Sequence, residues 1–392
     1  MYNFLTLDKA DLNNKRVLLR VDFNVPLEYG VVTDTTRIER VLPTIKYLLG
    51  KKATIVIASH LGRPNGPDPK LSLKPVAREL AKLLGQEVTF VDNINVPLRG
   101  NEKIYMLENL RFDDGEESNS EEFAAKLSKL ADIYVNDGFA ISHRTHASTC
   151  AITKLLPSYA GLLMQEELES LSAALTDPVK PVVAIVGGSK ISTKLGVLNN
   201  LVKKVDYLIP SGGIANTFLL ESGFAIGSSL AEPSLINEII LIRQQADKYG
   251  CKIILPIDVM VSTNPEDKNH IKTIVLEKDD IANNEKIFDV GPQSIELYNK
   301  LLDKCKTLVW NGPLGVYENP PFDEGTVQVG EHVAKLCTSG KLYAVVGGGE
   351  TIAALNQKRL LNKISYVSTA GGAFLEWLEG IELPGVKALE VA

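Results

Sequence analysis

Cations recur where apolar, β-branched runs end. Ile55, Val56, Ile57 and Ala58 run straight into Ser59, His60, Leu61, Gly62, Arg63 and Pro64. Asp22 and Asn24 follow another such run in VDFNVP, Arg111 stands in ENLRF, and His143, Arg144 and His146 crowd the segment SHRTHAS. Arg37, in TTRIER, belongs with them by type, although no run ends beside it. Three of the five histidines of the chain lie in these clusters. The planar fork of arginine donates two parallel hydrogen bonds to a phosphate or a carboxylate. One surface arginine is ordinarily solvated and one histidine ordinarily structural. Their recurrence at successive run ends is what points to a bound anion.

The C-terminal half offers glycine in the same places. The segments are VGGSKISTK (186–194), PSGGIANTF (210–218), WNGPLGVYE (310–318), VVGGGET (345–351) and STAGGAF (368–374). Glycine lets backbone N–H groups approach an anion, and a helix starting there adds its positive end. Any one pair is an ordinary tight turn. Five of them suggest a nucleotide laid across a sheet edge, with Gly212, Asn311, Gly315, Gly347, Gly348, Gly349 and Thr351 among the candidates to line it. The chain has no GxxxxGK[ST], no GxGxxG opening its first helix, no GxSxG and no HExxH. These absences disfavour P-loop, dinucleotide-dehydrogenase, common hydrolase and zinc-protease chemistries.

The elements that must position these groups alternate along the whole chain. Strand-like runs are RVLLRVD (16–22), ATIVIAS (53–59), EVTFVD (87–92), IYMLEN (104–109) and IYVND (133–137). A second series is PVVAIVGG (181–188), YLIPSGG (207–213), KIILPID (252–258), TLVWNG (307–312), LYAVVGGG (342–349) and ISYVST (364–369). Near-continuous apolar runs separated by helical patterns imply parallel sheets covered on both faces. The stretch 157–178, bracketed by Pro157 and Pro178, carries Leu162, Leu163, Leu168, Leu171 and Leu175 at roughly helical spacing. The expected fold is α/β: two Rossmann-like domains, each a parallel sheet flanked by helices, joined by a long helix. The expected division is 1–156, a connecting helix 157–178, a second domain 179–378 and a tail 379–392.

Composition sets the outer bounds. The 392 residues suffice for two domains, and 45% hydrophobic with 23% charged residues is ordinary for a globular enzyme. A net charge of −6 argues against a general nucleic-acid binder. Cys150, Cys251, Cys305 and Cys337 are scattered without a CxxC pair, which fits a reducing compartment. The N-terminus has no signal-peptide pattern, and no apolar run approaches the roughly 20 residues a membrane span needs. The expectation is a cytoplasmic protein without membrane or nucleic-acid partners.

Taken together and in order, VDFNVP, SHLGRP, ENLRF, GGSKISTK, NGPLGVYE, GGGET and STAGGAFLE resemble the phosphoglycerate kinase family over essentially the whole chain. The resemblance implies transfer of a phosphoryl group between 1,3-bisphosphoglycerate and ADP, giving 3-phosphoglycerate and ATP, with Mg²⁺. It implies the acid in the N-terminal domain and the nucleotide in the C-terminal one. His60 and Arg63, with Asp22, Asn24, Arg37, Arg111 and Arg144, would hold phosphoglycerate. Lys194 would contact nucleotide phosphates, Glu318 the ribose, and Gly347 to Thr351 would cradle the phosphates, with Glu350 serving the metal. Lys190 would lie near the phosphoryl group in flight. A monomer is the family expectation, as is a C-terminal tail packed on the N-terminal domain. The chain departs from the family's usual forms at three places. It reads NDGFAISHRTHAS, with Gly138 and Ala140 rearranged, it has Glu350 for aspartate, and it has Ala370 for the first glycine of the last motif.

The mechanism implied needs no general base, because an ADP phosphate oxygen and a carboxylate are both ionised at neutral pH. It needs in-line positioning, charge stabilisation and exclusion of water. Arg37 and Lys190 are the candidate catalytic cations, and domain closure the expected motion. Two other readings are open to the sequence. One is a nicotinamide-dependent oxidoreductase on a similar topology. The other is a non-catalytic nucleotide sensor, which needs no pair of anion sites.

Overall fold

The computed structural model describes residues 4–95, 98, 102–266 and 270–390. The first three residues of the N-terminal stretch and the last two of the tail lie outside it. The chain divides into two compact units. One takes the residues up to Glu169 together with those from Glu382 onward, and the other runs from Ser170 to Ile381.

The first unit is built on β1 (Arg16–Arg20), with a short antiparallel hairpin of β2 (Leu27–Glu28) and β3 (Val31–Val32) after it. Then come β4 (Thr54–Ala58), β5 (Thr89–Val91), β6 (Ile104–Leu107), β7 (Ile133–Asn136) and β8 (Ser158–Ala160). Apart from the hairpin they form one parallel sheet in the order β5-β6-β4-β1-β7-β8. Val17, Leu18 and Leu19 in the central strand are wholly buried, as are Ile55, Val56 and Ile57 in β4. Both faces are covered, which is why these strands lack alternation. From β1 the chain moves to β4 on one side and later returns to β7 on the other. This switch opens a crevice beyond the carboxyl ends of the strands. Register brings those ends level: Arg20 pairs with Ala58 and with Asn136.

The second unit follows the same logic. Its parallel strands are β9 (Val182–Gly188), β10 (Tyr207–Ser211) and β11 (Lys252–Ile253). Next are β12 (Asp258–Ser262), β13 (Lys272–Val275) and β14 (Lys286–Val290), a separate antiparallel sheet of order β13-β12-β14. The parallel sheet resumes with β15 (Thr307–Asn311), β16 (Tyr343–Gly347) and β17 (Tyr366–Ser368), in the order β11-β10-β9-β15-β16-β17. The switch lies between β9 and β15, and Asn311 is level with Val186 and Gly347.

Three sequence expectations need correction. The span 157–178 is not one helix: Ser158–Ala160 forms the edge strand β8, and the helix runs from Leu162 to Leu175. The amides of Ala160 and Gly161 are used by Leu5 and Asn136, at 2.8 Å each, so helical bonding starts only afterwards. The carboxylate of Asp137 then caps the helix, accepting from the amides of Leu163 at 2.9 Å and Met164 at 3.0 Å. Second, KIILPID is two strands of two different sheets, interrupted at Pro256, which has no N–H to donate. Third, YLIPSGG stops being strand at Ser211, and Gly212 opens the helix Gly212–Glu221. The antiparallel sheet was not anticipated; it packs Val259 and Val261 against Leu219 in a small core of its own.

Candidate active site

In the first unit the loops after β1, β4 and β6 are tied together by backbone groups. Ser59 Oγ accepts from the Phe23 amide and donates to the Val21 carbonyl, both at 2.9 Å. Asn24 Oδ1 accepts from the Gly62 amide at 2.9 Å, and Arg111 Nη1 donates to the Gly62 carbonyl at 2.7 Å. Gly62 has φ +62°, so the turn that offers both groups is left-handed and suits glycine. Asp22 Oδ1 receives the Asn24 amide at 3.0 Å, and Arg37 Nη1 donates to Asp22 Oδ2 at 2.5 Å. Arg37 sits in the first turn of the helix Thr36–Gly50, which explains why no strand-like run ends beside it. Arg111 also pairs through Nε with Glu117 Oε1 at 2.9 Å.

His60 and His146 are buried, each 6% exposed. Burial, then the nearby charges of Arg20 and Arg111, hold His60 well below the ordinary imidazole range. The same causes, with Arg144 and His143 adding to them, push His146 down to about 3. Both rings are therefore neutral at physiological pH and act through hydrogen bonds, not charge. Arg144 is exposed within reach of this field, and His143 beside it is half-buried. Arg63 is exposed on the loop after β4.

In the second unit Lys194 Nζ donates to Asn311 Oδ1 at 2.5 Å, and Asn311 Nδ2 donates to the Gly347 carbonyl at 2.9 Å. Burial lowers the affinity of Lys194 for its proton, and the negative charges of Glu350 and Glu379 oppose that. Thr351 Oγ1 accepts from the Gly312 amide at 2.6 Å, so β15 is fastened to the helix Gly349–Gln357. Gly348 caps that helix at φ +95°, and a Cβ there would come within 2.6 Å of Asn311 Nδ2. Gly349 opens the helix and Glu350 lies exposed in its first turn.

A cavity of about 270 Å³ lies alongside, walled by Leu230, Val259, Phe288, Leu314 and Val316 and edged by Gly212, Gly315, Glu318 and Glu350. Apolar walls with a few polar groups at the rim suit a flat heterocycle carrying a charged tail. Lys190 is not part of this wall. It stands exposed on the loop after β9, close enough to Glu232 to help hold that carboxylate ionised, after the Ser192 amide and hydroxyl.

Sequence reasoning passed over four groups. Arg20 and Glu116 are wholly buried together with Ser148, underneath the histidines. The signal for Arg20 was present, since an arginine inside an apolar strand requires a partner. Glu116 was hidden in the acidic run DDGEESNSEE, which looks like a solvated surface. Glu232, the neighbour of Lys190, carries no sequence signal.

Comparison with known proteins agrees at every level. The phosphoglycerate kinase family model matches residues 7–381. The phosphoglycerate kinases of a Caulobacter species and of Rhodopseudomonas palustris are each 49% identical, over 99% of this chain and 99% or more of theirs. The solved phosphoglycerate kinase of Coxiella burnetii superposes with a TM-score of 0.93 at 42% identity, over 98% of both chains. That of Pyrococcus horikoshii gives 0.78 at 31% identity, again over 98% of both. The oxidoreductase reading is thereby overturned. A match that runs nearly end to end, in sequence and in fold, means that the chain belongs to the phosphoglycerate kinase family.

Proposed function

We propose that this chain transfers a phosphoryl group reversibly between 1,3-bisphosphoglycerate and ADP, as a glycolytic kinase. In this reading the first unit takes the phosphoglycerate and the second the nucleotide. The observation that carries the division is chemical. Arg37, Arg111, Arg144 and two neutral histidines gather at the strand ends of one unit, while the other has an apolar cavity beside glycine-opened helices.

Asp22 and Asn24 orient the loops and, with His60, Arg63, Arg111 and Arg144, hold the acid and its phosphate. Lys194 holds the nucleotide phosphates, supported by Asn311, at the amides of Gly347 to Thr351. Gly212, Gly315 and Glu318 edge the space for the nucleoside. Arg37 and Lys190 stabilise charge on the phosphoryl oxygens in flight. No proton need be abstracted, which suits histidines that are neutral. In-line transfer without hydrolysis calls for both substrates within reach and water excluded, so closure is part of the proposal.

Mg²⁺ fits the residues present. Among the described residues no group of three or more His, Cys, Asp or Glu forms a protein cage. Glu350 and Glu318 are exposed carboxylates at the cavity rim, and Mg²⁺ characteristically takes one or two carboxylates with substrate phosphates and water. When bound with nucleotide, the ion neutralises phosphate charge. A cytoplasmic monomer completes the reading. A coupled assay for ATP-dependent phosphorylation of 3-phosphoglycerate tests it. ADP with Mg²⁺ should raise the melting temperature and NADH should not. Absence of turnover with both substrates saturating would refute it.

A further inference from the structure

Underneath the strand-end histidines of the first unit lies a buried ionic network. Arg20 and Glu116 are both 0% exposed. Arg20 Nη2 lies 3.7 Å from Glu116 Oε1, and Arg20 Nε donates to Ser148 Oγ at 2.7 Å. Ser148 passes the interaction on: its hydroxyl donates to Glu116 Oε1 at 2.6 Å and its amide to Oε2 at 3.0 Å. The backbone of Glu116 joins in, its carbonyl accepting from the Ala147 amide at 2.9 Å. One acidic residue thus pins the segment that follows Arg144 and His146 and anchors an arginine on the central strand.

The other end of Arg20 reaches the site. Nη1 donates to the Val21 carbonyl, next to Asp22, and Nη2 lies 3.4 Å from His60 Nδ1. A guanidinium has only donors and keeps its protons in proteins. His60 Nδ1 must therefore accept, and its proton sits on Nε2. Neutral His60 then offers Nε2–H as a hydrogen-bond donor toward the crevice.

We propose that Glu116 is a positioning residue: through Arg20 it locks His60 as the Nε2–H tautomer that donates to bound phosphoglycerate. The inference rests on the reading of His60 as a phosphoglycerate contact. A buried ion pair is a poor source of stability, since well-packed apolar residues serve as well or better. What an apolar pair cannot do is present a fixed donor to a histidine nitrogen. Burial pushes the Glu116 carboxyl up while Arg20 and Ser148 pull it down, so its ionised state depends on these partners.

Nitrogen-15 NMR of the histidine side chains in the full-length protein tests the proposal directly. Wild type should show His60 with Nε2 protonated and Nδ1 bare between pH 6 and 8. A Nδ1–H form would overturn the inference without any variant. Glu116→Gln keeps the shape but loses the charge. It should give mixed His60 tautomers and raise KM for 3-phosphoglycerate roughly tenfold, with Mg-ADP affinity unchanged by calorimetry. Glu116→Asp should restore part of the loss. A Gln variant with wild-type tautomer and KM, merely lowered in Tm, would reduce Glu116 to a structural part. His60→Ala separates the two readings. Normal phosphoglycerate affinity there rejects His60 as a contact, whatever the tautomer.

Discussion

Arg37 reaches back fifteen positions along the chain to donate to Asp22 Oδ2 at 2.5 Å, so a helix and a strand-end loop aim one cation together. Asp22 is the more enclosed partner, its side chain 12% exposed against 35% for Arg37. Such a half-exposed pair adds little stability; its value lies in the direction it gives the guanidinium. Arg37→Ala, or Lys190→Ala at the exposed loop of the other unit, should lower kcat by about 10²–10³. Affinity for either substrate should fall much less. Steady-state kinetics with both substrates varied checks this, and near-normal turnover in either variant rejects the role for that residue.

Arg63→Ala should abolish measurable 3-phosphoglycerate binding in calorimetry and leave ADP binding as in wild type. The motivation is its exposure on the loop that also carries His60 and Gly62, which the proposed function assigns to phosphoglycerate. Loss of both ligands together, in a variant whose circular dichroism is unchanged, would contradict the division of substrates between the units.

Glu350 has two physical roles open to it at the start of the helix Gly349–Gln357. As a metal-side carboxylate it should make Glu350→Gln weaken the Mg²⁺ dependence of activity and Mg-ADP affinity, with 3-phosphoglycerate affinity unchanged. As a partner of the helix dipole alone, the same change should lower Tm slightly and leave the Mg²⁺ titration untouched. We expect the first, and Glu350→Asp close to wild type.

Asp137 supplies a pH signature. Burial lifts its carboxyl to about 6, although the Thr44 hydroxyl and the amides of Met164 and Leu163 pull it back. The unfolded chain has it near 3.9. Between these values the folded state holds more protons, so this group's contribution is full below about pH 4 and is lost as pH rises through about 6. The loss amounts to roughly 2–3 kcal/mol. Asp137→Asn keeps an acceptor for the helix amides and cannot ionise. Its stability relative to wild type, measured by urea unfolding, should therefore improve from pH 4 to pH 6 and then level off. A difference independent of pH would show that the buried carboxyl does not titrate in that range.

How far the sequence alone reaches is clearest at particular residues. Central strands such as 16–20, 54–58, 182–188 and 307–311 were legible because burial on both faces demands unbroken apolar runs, a local property. The gathering of cations in one half and glycines in the other was legible for a related reason. Parallel sheets expose their carboxyl ends on one side, so groups that follow successive strands meet there. The edge strand Ser158–Ala160 was not legible, since three residues carry no pattern of their own. Neither was the antiparallel sheet inserted after β11, whose strands find partners only across intervening loops. The network under the site shows the limit most plainly. That Arg20 needed a counter-charge follows from an arginine within an apolar strand. That Glu116, in the short helix Asp114–Glu117, and Ser148, in a turn, answer it from far along the chain was decided by strand order and register alone. Burial and periodicity are written locally; which distant side chains share one dry pocket depends on the folded topology.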